Sequence, residues 1–188
     1  MANNPKREDL TSLPPRDEQS GLWNVVIETP KGCRNKFNYD EKSGLFALGG
    51  VLPMGASFPF DFGFIPSTRG GDGDPLDVLV LMDEPAFAGC LVPSRLIGVI
   101  EAEQTERDGK KERNDRLIAV AEKCRTYGEV KSLDDLNGQV VKEIEHFFVS
   151  YNQVKGKVFK PLDRGGPRRA EELVRAAMKV ARKPKRSR

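Results

Sequence analysis

The sequence has no apolar run approaching the ~20 residues that a membrane-spanning helix needs, so no helical membrane anchor is expected. Its first twenty residues, MANNPKREDLTSLPPRDEQS, lack the apolar stretch of a secretory signal, and nothing in them argues for export. Cysteine is scarce. Cys33, Cys90 and Cys124 form no CxxC pair and leave one thiol over in any disulfide scheme, a usage that suits a reducing cytoplasm. Histidine occurs once, at His146, and one imidazole with no second nitrogen or thiolate ligand nearby makes a poor metal site, so it reads as structural. No internal repeat is visible.

What remains is 188 residues of ordinary composition, 38% hydrophobic and 31% charged, enough for one domain with a sizeable core. The net charge of +3 is unevenly spread. The last ten residues, KVARKPKRSR, carry six positive charges and no negative one, so residues 1–178 carry −3. The expected organisation is an extended arm over 1–20, one domain over 21–178 and a basic tail over 179–188, which reads as a solvated terminus.

Trp23 to Thr29 and Arg34 to Asp40 are strand-like, and Asp40-Glu41-Lys42-Ser43-Gly44 is a turn leading to a strand at Leu45 to Leu48, which makes a hairpin or meander. Aromatics then stand at Phe58, Phe60, Phe62 and Phe64, the alternation expected when one face of an extended segment is buried. Further strands are expected at Val78 to Met82, at Leu91 to Glu101, where Pro93 suggests an edge or bulge, and at Arg116 to Ala121 beyond a charged hairpin tip over 105–112. Helices come last. Ser132-Leu133-Asp134-Asp135 reads as the start of one that runs through Leu136, Val140 and Ile144 to Tyr151, and a second runs from about Arg169 to Arg182, ended by Pro184. Strands first and helices last imply an α+β domain on a small antiparallel sheet or barrel.

The stretch GDGDPLDVLVL puts Asp72, Asp74 and Asp77 within six residues, directly before an apolar strand. Gly, Asp and Pro are turn formers, but carboxylates crowded together repel unless a proton or hard cation neutralises them. A calcium loop counted from Asp72 fails, because it puts Leu76 at position 5, Asp77 at position 6 where glycine belongs, and Asp83 at position 12 where a bidentate glutamate belongs.

D-x-D-P-x-D entering a strand resembles the signature of the soluble family I inorganic pyrophosphatases. VVIETP (25–30), RNKFNYD (34–40), VLP (51–53), FPFDFGFIPST (58–68), RLIGVIEAE (95–103), RLIAVA (116–121) and HFFVSY (146–151) follow in that family's order and at similar separations. The resemblance covers about residues 21–155. It implies a five-stranded, OB-like antiparallel β-barrel flanked by C-terminal helices, with Mg²⁺ ions holding pyrophosphate at the barrel mouth. It further implies hydrolysis to two orthophosphates in the cytoplasm, and a homo-oligomer, often a hexamer in bacteria, with no membrane and no nucleic-acid partner. By the same resemblance Asp72 and Asp77 are metal ligands, Asp74 orients or deprotonates the attacking water, and Glu28 is a metal-site glutamate. Lys36 and Tyr151 bind phosphate.

The sequence departs from the family pattern at Asn38, where a metal-binding glutamate is usual, at Gly50, where an arginine is usual, and at Phe58 and Phe62, where tyrosines are usual. Asn152 replaces a lysine. Asn114-Asp115-Arg116 replaces Asp-x-Lys, so Arg116 is the expected phosphate clamp and Asp115 enters the expected metal set through a one-residue shift. A rebuilt outer shell would draw on Arg69, Glu106, Asp108 or Lys155, and asparagine, an oxygen donor without charge, implies weaker Mg²⁺ binding at the peripheral sites. Two other outcomes follow from the substitutions: hydrolysis of a different phosphoanhydride, or a non-catalytic protein on the same scaffold that binds phosphate or nucleic acid.

Overall fold

The computed structural model describes residues 9–182, so the first eight residues of the arm and the last six of the basic tail, Pro184 included, lie outside the described residues. The chain forms strands β1 (Trp23–Thr29), β2 (Asn35–Asp40), β3 (Leu45–Val51), β4 (Asp61–Ile65), β5 (Leu76–Leu81), β6 (Leu91–Thr105), β7 (Lys111–Arg113) and β8 (Arg116–Ala121). Helix α1 (Gly138–Val154), strand β9 (Val158–Gly165) and helix α2 (Pro167–Ala181) follow. None of the described helices is long and apolar enough to cross a membrane.

Five strands close into a ring in the order β1-β4-β5-β8-β6 and back to β1, the expected OB-like arrangement. Four of the pairings are antiparallel; β5 and β8 run parallel, with Val78 opposite Leu117 and Leu81 opposite Val120. Both of these strands are apolar at successive positions, as suits strands covered on both faces. The ring's core is continuous, with Val25, Ile27, Leu79, Leu81, Ile97, Ile100 and Ile118 all without measurable solvent contact. The hairpin β2–β3 stands beside the ring as its own two-stranded sheet.

Strand β6 is the spine. Its first residues pair with β1 and β8, and from Val99 onward β9 and then β7 take those places. Pro93 therefore lies in an inner strand rather than at an edge. Its carbonyl accepts from Glu122 N, one residue past β8, so the amide that proline lacks also points beyond the end of that strand. Pairing through Pro93 is regular, so no bulge stands there, and the irregularity opposite β8 lies further on, between Leu96 and Gly98. Gly98 is there because a Cβ would stand 2.5 Å from Leu133 Cγ and 2.6 Å from Gly165 O.

The aromatic run is buried on both faces rather than one. Phe62 meets Phe148 of α1, Phe64 meets Tyr39 of β2, and the intervening Asp61, Gly63 and Ile65 are buried as well. Ser132 begins only a short 3-10 turn at Leu133–Asp135, with Asp135 closing a capping box. Buried Leu136 is extended, and α1 starts afresh at Gly138 under Asn137, whose side chain accepts from Gln139 N. Two caps in succession end one element and start the next, which a single apolar stripe does not reveal. Helix α1 packs its Val141, Ile144 and Phe148 inward, and α2 lays Ala170, Val174 and Ala177 against β6 and β9.

Candidate active site

The loop between β4 and β5 is closed at its base by Thr68, whose hydroxyl donates to Ile65 O (2.5 Å) and accepts from Leu76 N (2.9 Å). Above that clamp Gly70 N donates to Asp74 O (2.7 Å), Asp72 Oδ1 accepts from Asp74 N (3.1 Å), and Gly73 takes φ +94°, a region open to glycine and strained for other residues. The turn thus presents Asp72 and Asp74 to one pocket, and Asp77 follows from β5. That pocket, about 300 Å³, is also lined by Glu28 of β1, by Lys36 and Asn38 of β2, and by Gln104, Asn114, Arg116, Tyr151, Asn152, Lys155 and Lys157.

Seven of the eight expected site residues converge here: Glu28, Lys36, Asp72, Asp74, Asp77, Arg116 and Tyr151. Asp115 does not. In the two-residue link between β7 and β8, Asn114 lines the pocket, while Asp115 accepts from Ala102 N (2.9 Å) and from Arg113 Nε (2.7 Å), in an ion cluster with Glu101 and Arg169. Asp115 instead lines a smaller adjoining cavity, together with Asp72, Asp77 and Asn114. Of the outer-shell candidates, Lys155 lines the pocket, and Glu106 reaches it indirectly through Gln104 and Lys157. Asp108 sits at the hairpin tip bonded to Lys110 N, and Arg69 lines a neighbouring cavity with Ser67 and Arg182. Gly50 stands opposite Lys36 and lines no part of the pocket. His146 is exposed on α1, beside Ser150.

Gln104 was not foreseen. The signal was present: in the alternating run Ala102-Glu103-Gln104 it shares the buried face with Ala102, and a polar residue on a buried strand face is the informative exception. It is one link in a chain of polar contacts. Arg116 Nη1 donates to Asp77 Oδ2 (2.5 Å) and to Asn114 Oδ1, Asn114 Nδ2 donates to Gln104 Oε1 (3.1 Å), Gln104 Nε2 donates to Glu106 (2.5 Å), and Glu106 pairs with Lys157 (2.6 Å). The buried Arg116 guanidinium lies over the adjoining rings of Phe148 (5.0 Å) and Phe159 (5.5 Å), which also touch each other. Lys36 lies 5.5 Å over Phe62, so the ring that replaces a tyrosine supports this cation through its face.

Burial raises the Glu28 carboxyl to about 7, with nearby Asp77 and Asp74 adding to the rise against the hydrogen bond from Tyr39 N and the charge of Lys36. Asp72 is raised for the same reasons, burial first and then repulsion from Asp77 and Asp74. Burial also raises the Tyr151 hydroxyl. Among the described residues, no three acidic, histidine or cysteine side chains converge closely enough to hold a metal as they lie, since Asp77 is turned onto Arg116 and Asp72 onto the Asp74 amide. The donor chemistry still fits a hard divalent cation: Glu28, Asp72, Asp77 and the amide oxygens of Asn38 and Asn114 are all oxygen donors, and the surplus negative charge on Glu28 and Asp72 is what such an ion relieves.

The chain as a whole is similar to known proteins. The family described as Inorganic pyrophosphatase matches residues 25–182. The inorganic pyrophosphatase of Synechocystis sp. is 42% identical over 150 residues, which cover 80% of this chain and 85% of that one, and that of Thermus thermophilus is 36% identical over 173 residues, 90% and 96%. Among solved structures, the inorganic pyrophosphatase from Thermus thermophilus superposes with a TM-score of 0.85 at 35% identity over 94% of this chain and 100% of that one. The enzyme from Neisseria gonorrhoeae gives 0.81 at 32% identity over 91% and 97%.

Proposed function

The chain belongs to the inorganic pyrophosphatase family, and on that premise we propose that this pocket hydrolyses inorganic pyrophosphate to two orthophosphates. The observation that carries the proposal is the convergence in one cavity of the carboxylates Glu28, Asp72, Asp74 and Asp77 with the cations Lys36, Arg116, Lys155 and Lys157. A small, highly anionic substrate needs both: cations to hold it, and carboxylates to gather divalent ions and take a proton.

The family implies a divalent metal, and Mg²⁺ is the ion we assign, held by Asp72 and Asp77 with Glu28 at the edge. Bound there, it neutralises phosphoryl charge and makes water a stronger nucleophile at neutral pH. Asp74 accepts the proton of the attacking water as its oxygen bonds to phosphorus and the bridging P–O bond breaks, so that one orthophosphate leaves and the other carries the new oxygen. Lys36, Arg116 and the Tyr151 hydroxyl fix the phosphoryl oxygens, Arg116 through the fork geometry of its guanidinium. Asn38, Gln104 and Asn114 offer oxygen without charge, which supports fewer or weaker metal sites on that wall. A cytoplasmic homo-oligomer, a hexamer by analogy, completes the proposal; the exposed Leu45, Leu48 and Val51 of β3 and nearby Met54 are apolar area that a second copy would cover.

The test is orthophosphate release from pyrophosphate with Mg²⁺, for the wild-type chain and Asp74→Asn. Turnover that falls by about 10²–10⁴ in the variant, at unchanged circular dichroism, is the expected result. Equal turnover would remove Asp74 from its role, and none in the wild type would end the hydrolase reading.

A further inference from the structure

At the position after Tyr151 the chain carries Asn152, and this residue cannot grip an anion as a lysine would. Its side chain is almost fully buried, uncharged and turned back into its own helix, with Nδ2 donating to Phe148 O at 2.8 Å. One turn further on, at the C-cap of α1, Lys155 stands on the same side as Tyr151. Its Nζ lies 4.1 Å from the centre of the Tyr151 ring and donates to the Tyr151 hydroxyl. The backbone there is pinned, because Lys155 O accepts from Arg107 Nε at 2.7 Å, and Gly156, at φ +70°, turns the chain so that Lys157 also faces the pocket.

The charge inventory of this wall is unbalanced. Arg116 is paired with Asp77 and Lys157 with Glu106, whereas Lys36 and Lys155 make no ion pair among the described residues. Half-buried Lys155 thus sits with Lys36, Lys157 and Arg116 close enough that their repulsion, after burial itself, brings its ammonium down to about 8. Two unpaired, partly buried ammonium groups beside two paired cations in one pocket are stabilised when a multiply charged oxyanion enters between them.

We propose that Lys155 takes over the anion-gripping role that Asn152 cannot perform, and that Lys155, Lys36, Lys157 and Arg116 form a seat that holds a phosphate-class anion without any metal ion. The inference rests on the proposed pocket as the place where phosphoryl groups bind, and not on turnover there. It assigns one phosphoryl group to protein cations alone and leaves divalent metal to the aspartate side, consistent with the neutral Asn38, Gln104 and Asn114.

The experiment is isothermal titration of the full chain with inorganic phosphate and with methylenediphosphonate, in excess EDTA at pH 7, for wild type, Lys155→Gln and Lys155→Arg, with thermal melts as a folding control. Expected are binding of both probes in EDTA, a loss of about tenfold or more in Lys155→Gln at little-changed melting temperature, and recovery in Lys155→Arg. Binding that requires added Mg²⁺, or equal affinity in Lys155→Gln, overturns the proposal. Should pyrophosphate turnover be absent while metal-free phosphate binding through Lys155 persists, the hydrolase reading falls and this one stands.

Discussion

Replacing Arg116 by methionine tests how the cationic and anionic halves of the pocket are joined. The guanidinium is buried, its side chain 6% exposed, and it makes charge-assisted bonds to Asp77 and Asn114 while lying over the adjoining rings of Phe148 and Phe159. A hydrogen bond involving a charged group contributes about 1.5–3 kcal/mol. The Asp77 carboxylate is 27% exposed, so water rehydrates part of it, and that bond is worth about 1 kcal/mol after screening. The bond to Asn114 adds about 1.5 kcal/mol and the ring contacts about 1 kcal/mol, while the methionine side chain restores about 1 kcal/mol of apolar contact. The net expectation is a loss of about 2–3 kcal/mol, which lowers Tm by about 5–10 °C in a chain of this size. A second consequence separates this reasoning from generic damage. With Arg116 gone, Asp77 is free for a cation, so Mg²⁺ raises the Tm of the variant more than that of wild type; a tenfold gain in affinity adds about 1.4 kcal/mol at saturation. Scanning calorimetry with and without Mg²⁺ measures both. A Tm drop under about 2 °C, or an Mg²⁺ increment no larger than in wild type, would falsify the argument.

Gly63→Ala in β4 places a Cβ 2.0 Å from Val26 O and 2.9 Å from Ile27 Cα of the paired strand β1, backbone that cannot swing aside as a side chain would, so the variant is expected to be insoluble or to melt far below wild type; normal expression and Tm would contradict the close approach. Asp83 accepts from Arg125 N and Thr126 N and has its carboxyl held near 2 by those bonds, below the usual 3.8. The stabilisation is therefore complete above about pH 4 and is lost as pH falls through about 2, so the Tm gap between wild type and Asp83→Ala should close over that range and stay constant above it. Phosphate binding in EDTA should weaken as pH rises through about 8. The Lys155 ammonium is the group that deprotonates there, with Lys36 of β2, Arg116 of β8, Asp77 of β5 and Lys157 beside it, and titration in Lys155→Arg should lack that inflection.

Much of this was legible in the chain itself because its signals are local. The spacing of Asp72, Asp74 and Asp77 before a β-rich run, the alternating aromatics and the ordered motifs carried the family and with it the five-stranded ring. Strands β1, β5 and β8 were visible as apolar runs. Strand β9 was not, since Val158-Phe159-Lys160-Pro161-Leu162 reads weakly by itself and is a strand only because β6 extends far enough to pair with it. Helix α1 was visible as a stripe, but its start was misplaced by five residues of capped turn that use the same kinds of side chain.

The sequence alone determined the chemistry available: which carboxylates, which cations and which amides the site can contain, because residue identity and short-range periodicity are properties of the chain. Tertiary structure decided which of them meet. It turned Asn114 into the pocket and Asp115 onto Ala102 N and Arg113, set Asn152 against its own helix and Lys155 over Tyr151, brought Gln104 beside Asn114 from β6, and ran β5 parallel to β8. Each depends on pairing between segments distant in sequence, where the energy lies in contacts and hydrogen bonds that no local window contains.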